Sequence, residues 1–247
     1  MKKKINLLLQ MSIVFLLLAC TSQSKITYVD NVQQNDNQYK YSFKQDKAKT
    51  LLKIGKKDSI FNYHILDTTI RVSRYIRDLD KDFHNLNLQM EKLKDREYFP
   101  NCKPDSAWFY SSSKFQGQSC FSYAMEIFCR TNDVNPHPYF DSESLISGKT
   151  YLLILETLKL KRKAYSWKEY KRTKDPMPSE ALIALKCKGM FTHGIYYKDG
   201  LFHSKNGFTK PAIFPDLKSI VKSYKYTDTV LIYKPNNEKL LSFTKPI

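Results

Sequence analysis

The chain has 247 residues, enough for one good-sized domain with appendages or at most two small ones. Only seven glycines occur, and neither G-x-G-x-x-G nor G-x-x-x-x-G-K-[ST] is present, so a glycine-rich nucleotide-binding fold is not expected; 17 tyrosines and 15 phenylalanines supply large core pieces. The net charge of +17 suits anionic partners, and it is densest over 159–174, "KLKRKAYSWKEYKRTK", which reads as a solvated surface or a grip for anionic polymers or lipids.

Residues 1–20, "MKKKINLLLQMSIVFLLLAC", carry three lysines, an apolar run from Leu7 to Leu18, and Ala19-Cys20. The run is short for a membrane span and right for an export signal. "Leu17-Leu18-Ala19-Cys20" resembles the bacterial lipobox, in which the cysteine becomes the lipidated first residue after cleavage. That resemblance implies a signal peptide over 1–19, lipidation at Cys20, and a membrane-anchored lipoprotein facing periplasm or exterior, where nucleic acid is not an expected partner. Residues 21–48 are polar without a sustained apolar face, so 20–49 reads as lipidated cysteine plus tether, and 50–247 as the folded domain.

Ile70, Ser73, Ile76, Leu79, Phe83, Leu86, Met90 and Leu93 recur at three- and four-residue steps and predict an amphipathic helix over 69–97. A loop follows over 100–119. The next helix runs from Ser119 or Cys120 to about Arg130 and is apolar around most of its circumference. Asn135-Pro136-His137-Pro138 is a break. A third helix is expected from Ser144 or Thr150 to Lys161, although Leu152-Leu153-Ile154 also fits a strand. Beyond Pro178 the texture changes. "ALIALKCKG" reads as a buried strand, and "FTHGIYYKDGLFHSKNGF" as a hairpin about Asp199-Gly200, a type I′ signal. "PDLKSIVKSY" reads as a short helix and "TVLIYKP" as a last strand. Helices followed by a mostly antiparallel sheet make an α+β layout.

Cys20 apart, the cysteines are Cys102, Cys120, Cys129 and Cys187, with no C-x-x-C, so neither a zinc ribbon nor a thioredoxin site is expected. No metal and no cofactor is expected. Four cysteines in an oxidising compartment can form two disulfides, whereas a working Cys120 must stay unpaired. Cys120 begins a helix behind the N-cap Ser119, where unpaired backbone N–H groups and the helix dipole lower a thiol pKa. Cysteine hydrolases add an imidazole and a third polar group that orients it. Of the five histidines, His193 and His203 lie on the hairpin, downstream of the cysteine.

"QGQSCFSYA" resembles the active-site cysteine segment of papain-like cysteine peptidases, and "THGIYYKDGLFHSKNG" is similar to the histidine hairpin of their NlpC/P60 branch. The two motifs cover about a tenth of the chain. The resemblance implies a papain-like, NlpC/P60-like α+β domain with the nucleophilic cysteine at a helix N-terminus, hydrolysing an amide bond, with a peptidoglycan stem peptide as substrate. Cys120 would attack and His193 would be general acid/base. A two-residue Asp199-Gly200 turn pairs Lys198 with Leu201 and brings Asn206 across from His193 on a shared face; a three-residue turn would bring His203 there instead. Gln116 takes the place of the oxyanion glutamine but lies only four residues before Cys120, closer than in papain-like enzymes. Thr192, aligned on "GIY", stands where the NlpC/P60 histidine stands. The rival readings are lipid acyl transfer or thioester chemistry, and a non-catalytic envelope-binding lipoprotein on the same fold.

Overall fold

The computed structural model describes residues 26–29, 38–42, 49–54, 58–65, 68–75, 118–137, 139–141, 144–206 and 211–244. The first strands are β1 (Thr27–Tyr28), β2 (Tyr41–Ser42), β3 (Lys49–Ile54), β4 (Asp58–Ile65) and β5 (Thr68–Tyr75). Helix α1 (Cys120–Thr131), β6 (Val134–Asn135), β7 (Ser144–Ile146), α2 (Gly148–Leu158), β8 (Lys159–Ser166) and α3 (Trp167–Tyr170) follow. The last third holds β9 (Glu180–Cys187), β10 (Met190–Lys198), β11 (Leu201–Ser204), β12 (Ala212–Phe214), α4 (Leu217–Val221), a 3-10 turn (Lys222–Tyr224), β13 (Thr229–Pro235) and α5 (Asn237–Thr244).

The main sheet has seven strands in the order β1-β12-β11-β10-β9-β13-β8, all paired antiparallel. Both hairpins flanking β10 close with two residues. Lys188-Gly189 and Asp199-Gly200 all have positive φ, the requirement of a type I′ turn. A smaller antiparallel sheet, β3-β4-β5-β7, lies beside it. The architecture is α+β and mostly antiparallel.

"ALIAL" is a continuous apolar run because β9 is covered on both faces. Leu182 and Ala184 join Tyr196, Leu231 and Tyr233 under α1 and α2. Ala181, Ile183 and Leu185 join Ile195, Val230 and Ile232 under α4. Burying Phe121, Met125 and Phe128 of α1 stabilises the first layer by roughly 1.5–3 kcal/mol per side chain. Buried Glu180 ties three elements together. It accepts from the Tyr196 hydroxyl (2.7 Å), from Asn132 at the α1 C-cap (3.0 Å) and from Asn237 at the start of α5 (3.0 Å).

Three expectations change. The helix expected over 69–97 begins as a strand: Ile70 and Val72 are buried while Thr69 and Arg71 are exposed, a period of two. Ile70 and Ser73 also fit a helical step; the β-branched Thr-Thr-Ile-Arg-Val run favours the strand, and pairing with β4 and β7 fixes it. Residues 76–97 and most of the expected 100–119 loop lie outside the described residues, as do His84 and Cys102. Two pieces of the polar 21–48 segment are built into sheets, Thr27–Tyr28 against β12 and Tyr41–Ser42 against β6. The third helix is bounded at Gly148 and Leu158, preceded by a short strand and followed directly by another; Leu152-Leu153-Ile154 is helical.

Candidate active site

Helix α1 starts at Cys120 because Ser119 caps it. The Ser119 hydroxyl accepts from the Ser122 N–H (3.1 Å) and donates to the Ile146 carbonyl (3.1 Å). The Ser122 hydroxyl accepts in turn from the Ile146 N–H (3.1 Å), so β7 fixes the helix start from the side. Across from it, β10 passes at very close range. A Cβ on Gly194 would lie 3.1 Å from the Phe121 α-carbon and 2.8 Å from the Phe121 ring. Glycine alone allows that approach.

The closeness brings the His193–Gly194 peptide to the sulfur. The backbone N–H groups of Gly194, Phe121 and Cys120 and the Lys205 ammonium each favour the thiolate over the thiol. Burial nevertheless outweighs these four influences, and the thiol is raised above its ordinary value. The expectation of a lowered thiol pKa at the helix start is therefore corrected: desolvation wins over the helix N–H groups. Cys120, Cys129 and Cys187 are all free thiols.

His193 is fully buried. It follows a β-bulge at Thr192 and pairs with Leu185 of β9. Its ring stacks on Tyr224 with centroids 4.1 Å apart. Nε2 meets the Ser204 hydroxyl at 2.7 Å, and that hydroxyl donates to Asn206 Oδ1 at 2.7 Å. Asn206 also favours the protonated ring, but desolvation, then Lys205, outweigh it and push the imidazole down to about 3. Nδ1, the ring nitrogen on the main-chain side, is buried without a hydrogen-bond partner. The Lys205 charge acts on both groups, favouring the thiolate of Cys120 and disfavouring the imidazolium of His193.

The hairpin register is Lys198↔Leu201 and Tyr196↔His203, that of the two-residue turn. Asn206 is joined to His193 through Ser204, while the His203 ring packs on Tyr196 (centroids 5.6 Å apart), away from this chain of bonds. Thr192 donates to the Leu185 carbonyl (3.2 Å). Gln116 lies outside the described residues. Gln118 is buried and spends its amide on Glu126 and on the carbonyls of Phe140 and Asp141. His137 pairs with Asp141 at 2.7 Å. His64 sits on β4 opposite Thr69. Among the described residues no group of three or more His, Cys, Asp or Glu could hold a metal ion.

Three members of this cluster escape sequence reasoning. Ser204 is visible only as a same-face neighbour two places from Asn206. Lys205 reads as one more surface lysine until the fold buries it to 1 % exposure. Tyr224 is distant in sequence and carries no signal.

Protein families, curated proteins and solved structures were each compared with the chain, and none matches.

Proposed function

We propose that this chain is an exported lipoprotein, anchored in the cell envelope through Cys20, whose papain-like, NlpC/P60-like domain hydrolyses amide bonds with Cys120 as nucleophile. The proposed substrate is a peptidoglycan stem peptide, which follows from the resemblance and the export signal rather than from a pocket. The observation that carries the reading is the polarised imidazole. One nitrogen of His193 is held by Ser204, whose hydroxyl donates to Asn206, the other is buried and unbonded, and the N–H of Gly194, the next residue in the chain, favours the Cys120 thiolate.

In this reading the Cys120 thiol gives its proton to Nδ1 as sulfur attacks the amide carbon, forming the C–S bond. The oxygen of the tetrahedral adduct takes up negative charge and accepts from the Cys120 backbone N–H. The C–N bond breaks as the imidazolium returns the proton to the leaving amine. Water then attacks the thioester with His193 as base, releasing the acid and restoring the thiol. Lys205 steadies the thiolate and opposes the imidazolium, so it drives the proton on to the leaving group. Both groups rest neutral because both are desolvated.

The test is incubation of the purified domain with sacculi, read by liquid chromatography of released fragments. Product is expected from wild type and lost in Cys120→Ala and His193→Ala. Product that persists in folded Cys120→Ala defeats the mechanism. A second reading, the non-catalytic envelope-binding lipoprotein, is favoured by the neutral resting state of both groups, and absence of product from every muropeptide tested would select it.

A further inference from the structure

The basic stretch over 159–174 has a place in the fold that the proposed hydrolase does not use. Strand β8 forms one edge of the main sheet, α3 follows it, and the segment up to Pro178 runs on from there. With Phe202, Leu217, Ile232 and Lys234 they line a half-open cavity of about 720 Å³. That volume is in the range of sites that hold one small molecule of drug size.

Its base and its rim differ in chemistry. Phe202, Leu217 and Ile232 are buried and apolar. Trp167 and Tyr170 form a stacked pair on one wall, with centroids 5.6 Å apart and planes 12° from parallel. Five lysines line the cavity against two aspartates. Both aspartates are already engaged. Asp175 accepts from Lys163 (2.8 Å) and the Tyr165 hydroxyl (2.7 Å), and Asp216 caps α4 by accepting from the Ser219 N–H (2.7 Å). Lys161, Lys171, Lys218 and Lys234 are exposed at the rim. Lys161 and Lys234 stand directly opposite each other across β8 and β13. Like charges in that position destabilise a strand pair unless an anion lies between them. A surplus of three positive charges exceeds what one carboxylate neutralises and suits a phosphate monoester, which carries about −1.5 to −2 at neutral pH.

We infer that this cavity binds a single-chain amphiphile with a phosphate monoester head: the chain lies on Phe202, Leu217 and Ile232 beside the Trp167–Tyr170 wall, and the phosphate sits at the rim between Lys161 and Lys234. This site lies apart from Cys120 and does not depend on the hydrolase reading.

The probe is dodecyl phosphate below its micelle concentration, titrated into the mature chain carrying Trp108→Phe, so that Trp167 emission alone reports binding; the sequence has two tryptophans. Saturable binding is expected. Glycerol phosphate, which has the head alone, and dodecanol, which has the chain alone, should each bind at least tenfold more weakly. Lys161→Gln combined with Lys234→Gln should weaken dodecyl phosphate by roughly tenfold or more, since charge-assisted hydrogen bonds to phosphate are among the stronger ones. Met177→Phe, which narrows the cavity from the loop without adding a tryptophan, should weaken binding with the melting temperature retained. No saturable binding by wild type overturns the inference. So does equal binding of dodecanol or of glycerol phosphate, or an unchanged affinity in the lysine pair.

Discussion

Gly194→Ala tests the close approach on which the active-site geometry depends. The new methyl carbon would meet the Phe121 ring at 2.8 Å, the Phe121 α-carbon at 3.1 Å and the Tyr151 ring at 3.2 Å. The Phe121 ring is buried and packed on Tyr151 with centroids 5.1 Å apart, so it cannot simply swing away, and the Phe121 main chain belongs to the first turn of α1. The helix start and β10 must therefore separate by a few tenths of an ångström. Overpacking of this kind costs about 1–3 kcal/mol. For a domain of this size each kcal/mol lowers the melting temperature by roughly 2–4 °C, so thermal unfolding followed by circular dichroism should show a fall of about 2–12 °C. The same separation draws the Gly194 N–H from the Cys120 sulfur. Turnover, measured well below the melting point, should fall by more than the stability loss explains. Gly194→Ala combined with Phe121→Leu relieves the clash with the ring but not the one with the helix main chain, so it should recover part of the stability. A Gly194→Ala protein with unchanged melting temperature and unchanged turnover would refute the close-approach argument.

Burial raises the Cys120 thiol, so iodoacetamide labelling mapped by peptide mass should be slow at pH 6 and 7 and climb steeply in the alkaline range; fast labelling at pH 6 would show that substrate-free Cys120 is already thiolate. His193 is pushed down to about 3 from an ordinary value near 6.5, so the unfolded chain takes up its proton first as pH falls. Its contribution is nil above pH 6.5 and becomes destabilising between pH 6.5 and 3, by roughly 4 kcal/mol at the acid end, and denaturant titrations across that window should show a slope that His193→Gln removes. Asn206→Ala and Ser204→Ala should each reduce turnover more than His203→Ala, by well short of the roughly four orders of magnitude lost with the orienting carboxylate of a serine triad. Turnover abolished by His203→Ala alone, with folding intact by circular dichroism, would mean that the orienting role lies outside the Ser204–Asn206 chain.

Local chemistry makes much of the domain legible in the sequence alone. Asp199-Gly200 tolerates positive φ at both turn positions, and that by itself sets the register from Lys198↔Leu201 outward, with Asn206 on the side of His193 and His203 turned toward Tyr196. Ser119 ahead of an apolar run places the start of α1 at Cys120 for an equally local reason, a side chain that satisfies a free N–H. Where two periods fit one stretch, as in Thr68–Tyr75, the partner strand decides, because Ile70 and Val72 are buried only when β5 lies between β4 and β7. The protonation states are out of reach of the sequence altogether. The dipole and N–H groups that favour thiolate act within one turn of helix and can be read from the sequence, but desolvation depends on everything packed around the sulfur. Lys205 and the basic stretch over 159–174 are one residue type with two fates. The fold buries the first where its charge acts on both sulfur and imidazole and sets the second around an apolar cavity, and nothing in a run of lysines distinguishes them until distant segments close over one and leave the other at a sheet edge.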